Sequence, residues 1–156
     1  MAGDSPRIKR TRRGEYLLRL PEGEREVLRS LPAQLRQLLS TDDASLRRLF
    51  PPAHADDPLA NAEYTSLVRD DLMAERLARL EMMETTIDAA RLDEQQLLAW
   101  LGVLNDLRLV LGTRLDVTED MYEEEMPGDE SRAPAFELFR YLGFVEEQIV
   151  EALAPG

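Results

Sequence analysis

A chain of 156 residues, 44 % of them apolar, is long enough for one domain with a real core and too apolar for disorder throughout. It contains no cysteine, which removes disulfides and thiolate chemistry and suits a reducing cytoplasm. Its formal net charge of −12 argues against nucleic acid and anionic membrane as partners and in favour of basic ones.

Residues 1–13 read as a flexible basic arm. Five bases (Arg7, Lys9, Arg10, Arg12 and Arg13) against Asp4 make +4, which leaves −16 for a single domain over residues 14–156. The arm lacks the apolar stretch of a secretory signal, and no apolar run approaches the ~20 residues of a membrane span. A cytoplasmic location is expected. Gly14 to Leu20, "GEYLLRL", is a candidate short strand, although one strand cannot make a sheet.

Pro21 suits the first position of a helix, with Glu22 and Glu24 near its positive end. Leu28, Leu31, Leu35, Leu38 and Leu39 follow at helical spacing. Pro32 interrupts them, giving either a kinked helix or two short ones. "STDDASLRRLF" supplies cap residues and a short helix near Ala44 to Phe50, and the prolines of "PPAHADDPLAN" mark a loop. A long helix is predicted from about Asn61 towards Ala89, with Tyr64, Val68, Ala78 and Met82 on one face and Leu72 and Met83 beside it.

Asp93 and Gln96 have capping-box spacing for the next helix, about 94–111, which is apolar on nearly every side and therefore central. Thr118 can cap a short helix through "EDMYEEE". "MPGDESRAP" is a loop, and Pro134 opens a last helix bearing Phe136, Phe139, Leu142, Ile149, Val150 and Leu153. The expected architecture is an all-α, compact bundle of five to seven helices around the helix at about 94–111.

Arg108 sits inside an apolar sector formed by Leu97, Leu101, Leu104, Leu111 and Leu115. A guanidinium cannot shed its proton, so a buried one needs carboxylates that match its planar fork. Asp71 and Glu75 lie on the apolar face of their helix. Glu146 sits within the apolar arc of the last helix, and Glu147 borders it. An interhelix ion network of these four acids with Arg108 is expected, with Asn105 and Arg114 completing it. Removing Arg108 alone would strand a carboxylate, at roughly 3–5 kcal/mol if the pair is buried. The alternative is a pocket in which Arg108 meets a small anionic metabolite, although no glycine-rich phosphate loop accompanies it.

Eight acids and no base fall within residues 116–130. Asp116, Glu119, Asp120, Glu123, Glu124 and Glu125, with Met121, Tyr122 and Met126 as apolar anchors, make a candidate patch for a basic protein partner.

Catalytic parts are sparse. A di-iron bundle needs two helical Glu-x-x-His motifs, and His54, followed by Asp56 and Asp57, is the chain's one histidine. Asp71 and Glu75 could contribute to a carboxylate-only site for a hard cation or to acid–base work. Ser40, Ser45 and Ser66 stand in no motif that pairs them with a base. No metal, cofactor or enzymatic activity is expected. Nucleic-acid binding rests on "RIKRTRR" alone, since no helix displays a basic face. The residues set no oligomeric state.

Three stretches carry a family resemblance: "RRLFPPAHADDPLANAEYTSLVRDDL" (Arg47 to Leu72), "AWLGVLNDLRLVLGTRLDVTED" (Ala99 to Asp120) and "YLGFVEEQIVEAL" (Tyr141 to Leu153). They resemble an actinobacterial domain-of-unknown-function family over roughly residues 14–154, without the basic first thirteen. Some members are labelled aerial-mycelium-formation proteins or transcriptional regulators. The resemblance marks Asn105, Asp106, Arg108, Gly112, Arg114 and Glu119, and it implies a small helical cytoplasmic protein. Genes of this family often lie beside the adaptor that delivers N-degron substrates to the Clp protease. The expected function is therefore a non-enzymatic regulator acting through protein–protein contacts, in its narrowest form an accessory factor for cytoplasmic proteolysis. A transcription-associated DNA binder and a binder of an anionic metabolite are the alternatives.

Overall fold

In a computed structural model of the chain, residues 6–41, 43–50, 58–115 and 133–155 are described. Strand β1 (Ile8–Arg10) turns back into β2 (Tyr16–Leu18). Helix α1 (Glu22–Leu39) follows, then a 3-10 helix (Ala44–Arg48) and the long α2 (Pro58–Thr86). A two-residue strand β3 (Arg91–Leu92) leads into α3 (Glu94–Leu115), and α4 (Ala133–Leu153) comes last.

The fold is mostly helical, as expected, but the described residues hold four α-helices rather than five to seven. Pro32 neither breaks nor divides α1. It is buried within one continuous helix beside Leu31 and Leu35, where the packing of its ring offsets the hydrogen bond it cannot donate. The short helix expected near Ala44 forms as a five-residue 3-10 helix, capped by the Asp43 carboxylate accepting from the Ser45 N–H at 2.8 Å. The helix expected after Thr118 lies outside the described residues.

The three strands form an antiparallel sheet in the order β1-β2-β3. Leu18 faces Ile8 across one ladder, and Tyr16 faces Leu92 across the other. Gly14 makes the β1–β2 turn with φ +83°, a left-handed conformation that favours glycine. The candidate strand at 14–20 is thus real, and its partner comes from the segment expected to be a flexible arm. Within that arm Ile8 is buried, and Lys9, Arg10, Arg12 and Arg13 point outward. Arg7 reaches back to α1, where its Nε and Nη2 donate to the two oxygens of Glu24 at 3.1 and 3.0 Å. The hydroxyl of Tyr141 on α4 donates to the same carboxylate at 2.8 Å, and the Arg7 N–H donates to Gln148 Oε1 at 2.9 Å.

Helix α3 is central, as its all-round apolar character predicts: it packs between α2 and α4 and touches the 3-10 helix and β3. Its start is a capping box in which Gln96 N–H donates to Asp93 at 2.7 Å and Asp93 N–H donates to Gln96 at 2.9 Å. Leu97, Trp100, Val103 and Leu104 form the middle of the core with Leu28, Leu35, Leu80, Met83, Leu142 and Ile149. The indole N–H of Trp100 is satisfied by Thr86 Oγ1 at 2.8 Å. Among the described residues, no helix is long and apolar enough to cross a membrane.

Candidate functional site

The face of α2 that meets the core is turned from the centre of the predicted one towards the flank that held Leu72 and Met83. Leu80 and Met83 are fully buried and Leu72, Met73 and Leu77 pack beside them, whereas Ala78 is exposed and Met82 is half-buried. Two arginines belong to the inner stripe, at helical spacing with Leu72, Leu80 and Met83. Arg69 and Arg76 lay their guanidinium groups over the Phe50 ring, 4.3 and 5.4 Å from its centroid. The predicted face admitted Asp71 and Glu75, which are exposed, and left out Arg69 and Arg76, which turned it away from the core.

Arg76 continues inward to Asp106 of α3, with Nε 3.5 Å from Oδ2. Only 3 % of Asp106 is exposed, and burial raises its carboxyl to about 6 against the opposing pull of Arg76. Sequence reasoning missed this pair, although its signal was available. Asp106 is the one acid in α3 after Glu94, and a helix apolar on every side has no polar face to hold it.

Arg108 is held as expected, but by one acid of the predicted set. Its Nη1 lies 3.8 Å from Oε2 of Glu146, and its guanidinium sits 5.0 Å from the Phe139 ring centroid. The side chain is nearly a third exposed, so the pair is half-buried rather than dry. Gly143 lets the two helices close over it, since a Cβ there would stand 3.3 Å from Arg108 Cζ. Burial raises the Glu146 carboxyl, with Arg108 acting in the opposite direction.

The other candidates do not join this pair. Glu75 bonds along its own helix to Arg79. Arg114 reaches Asp43 Oδ2 at 3.4 Å and Ser45 Oγ at 3.3 Å, which ties the end of α3 to the 3-10 helix. There the Ser45 hydroxyl and N–H, helped by Arg114, hold the Asp43 carboxyl below its ordinary range. Asp71, Asn105 and Glu147 are exposed. The acidic patch (Asp116, Glu119, Asp120, Met121, Tyr122, Glu123, Glu124, Glu125 and Met126) lies outside the described residues, as does His54. Among the described residues, no three metal-ligating side chains converge.

What the turned α2 face creates is a groove. Ala78, Arg79 and Met82 of α2 form one wall and Leu98, Leu101 and Asn105 of α3 the other, with Ala99 and Gly102 setting its depth. Glu146 of α4 closes one end, and the volume is about 690 Å³. Leu98 is 48 % exposed there, and Arg79 lies over Gly102, where a Cβ would come within 2.6 Å of its Cδ. Two acids, Glu75 and Glu146, and one base, Arg79, line the groove, and Arg108 stands 3.8 Å from Glu146 outside the lining.

The family described as "Domain of unknown function (DUF2017)" matches residues 5–153. The chain belongs to this family. The actinobacterial resemblance read from Arg47–Leu72, Ala99–Asp120 and Tyr141–Leu153 is thus borne out, and the DUF2017 match extends into the basic N-terminal segment. Relatives named "Oxidative stress regulator AosR" from Mycobacterium bovis and Mycobacterium tuberculosis are 31 % identical over 128 residues, covering 71 % of this chain. A Mycobacterium leprae protein with the same AosR designation is 28 % identical over 151 residues, covering 85 % of this chain and 68 % of that one. The chain spans 58 % of the length of the first two relatives. No solved structure matches it.

Proposed function

We propose that this DUF2017 chain is a regulatory protein that works through protein–protein contacts, without catalysis of its own, at the groove between α2 and α3. The observation that carries this reading is the groove itself, an open apolar channel that leaves Leu98 half in water. The names of the mycobacterial relatives support a regulatory role tied to oxidative stress. This chain has no cysteine, so an oxidant response within it does not run through a thiol. The narrower role in cytoplasmic proteolysis rests on the resemblance alone, and gel filtration with the Clp N-degron adaptor tests it by co-migration.

Affinity purification from the native cell, followed by mass spectrometry, tests the main reading. A protein should be retained by the natural chain and lost by Leu98→Asn. No enrichment over a mock purification, or equal retention by the variant, would sink it.

A further inference from the structure

We propose that the α2–α3 groove receives a basic amphipathic helix of a partner protein, its apolar side chains on Met82, Leu98 and Leu101 and a lysine or arginine at Glu146. The proposal rests on the protein–protein reading above and names the chemistry of the partner.

Shape comes first. Along α3 the groove runs from Gln95 to Asn105, about 15 Å at 1.5 Å per residue, or close to three helical turns. Two helices that leave a furrow between them offer the ridges and grooves into which a third helix packs. Ala99 and Gly102 keep the floor low enough for aliphatic side chains to enter.

Charge then selects the occupant. Glu146 is only 13 % exposed, and its Oε1 is buried with no hydrogen bond among the described residues. Arg108 faces the other oxygen at 3.8 Å, beyond hydrogen-bond length. Oε1 is closed to solvent, so a lysine or arginine in the groove meets Glu146 at the part of its side chain that stays exposed and acts on it as a charge beside Arg108. The second acid on the rim is Glu75, and Arg79, the base there, is already engaged by it. The chain's net charge of −12 attracts a cationic segment and repels an acidic one. A second copy of this chain would bring that same negative charge to the groove.

Two fluorescein-labelled peptides of about 18 residues, or five helical turns, test this. They share one leucine stripe, and their polar faces carry lysine in one and glutamate in the other. Fluorescence anisotropy with the whole chain at about 150 mM salt should show binding of the lysine peptide alone. Leu98→Asn should weaken it about tenfold or more, and Glu146→Gln about three- to tenfold. Gly102→Leu, which fills the groove from within, should abolish binding. Val27→Asn, at an exposed apolar position on α1, should leave it unchanged.

Equal binding of both peptides, or lysine-peptide binding indifferent to Leu98→Asn and Gly102→Leu, overturns the proposal. So does a concentration-dependent dimer that Leu98→Asn disperses and the lysine peptide does not, since the occupant is then a second copy. A partner that is lost on Leu98→Asn in the native cell, combined with no preference for the lysine peptide, overturns the inference and leaves the broader reading standing.

Discussion

Asp106 and Arg108 stand two residues apart on α3, which at about 100° per residue turns them to opposite sides of the central helix. One meets Arg76 of α2 and the other meets Glu146 of α4. Sliding α3 against either neighbour would separate a pair, one dry and one half-buried, so the two contacts fix its register from both sides. The Asp106 pair is the drier. Asp106→Ala is expected to cost roughly 3–5 kcal/mol by stranding Arg76, and Arg108→Gln roughly 1–2 kcal/mol because its site is open to water. Urea denaturation of both variants checks the order, and Asp106→Leu with Arg76→Leu should recover most of the first loss. The pH dependence has a defined sign. The folded carboxyl titrates near 6, above its ordinary range, so between about pH 4 and 6 the native state holds a proton the unfolded chain has released. Its contribution to stability therefore falls as pH rises through that window, by on the order of 3 kcal/mol, and is flat above it. Asp106→Asn should remove that part of the slope when denaturation midpoints are compared at about pH 4 and about pH 6.5. Sequence reasoning found Arg108 because an arginine in an apolar stripe is conspicuous. Asp106 entered only through the family resemblance and without a partner, although an acid on a helix with no polar side is as conspicuous as Arg108.

Among the elements, α3 was the most legible, because its capping box and its continuous apolar character are both local signals. The sheet was the least legible. Strands of three, three and two residues are too short to show alternation, and β2 finds β3 some seventy positions along the chain. Part of what reads as a charged tail is thereby an edge strand. Lys9 and Arg10 point outward from it, as charged edge residues do to discourage further pairing, and Ile8 points in. Ile8→Ala should lower stability by about 2 kcal/mol in thermal or urea unfolding, whereas a flexible arm would show no change. The face of α2 was misread for a different reason. Periodicity counts only apolar side chains, and Arg69 and Arg76 spend their planar groups on Phe50 as though they were part of the hydrophobic stripe. The groove followed from that turn of the helix, so it was invisible until the helix was placed.

For the molecule as a whole, charge decides which partners can approach. With −12 overall, the chain should not retard duplex DNA in a gel at about 150 mM salt, and reversing Lys9 and Arg10 to glutamate should change nothing. A shift at that salt, lost on the reversal, would favour the nucleic-acid alternative. Self-repulsion should also make the native state more stable in salt, with the melting temperature rising between about 10 mM and 150 mM as the charges are screened. The contact between Arg7 and Gln148 spans 141 positions of the chain. A ribosome must therefore deliver α4 before the first strand can settle against it. Until then the sheet's outer ladder has no anchor on that side, and the final closure of the domain waits on its last helix.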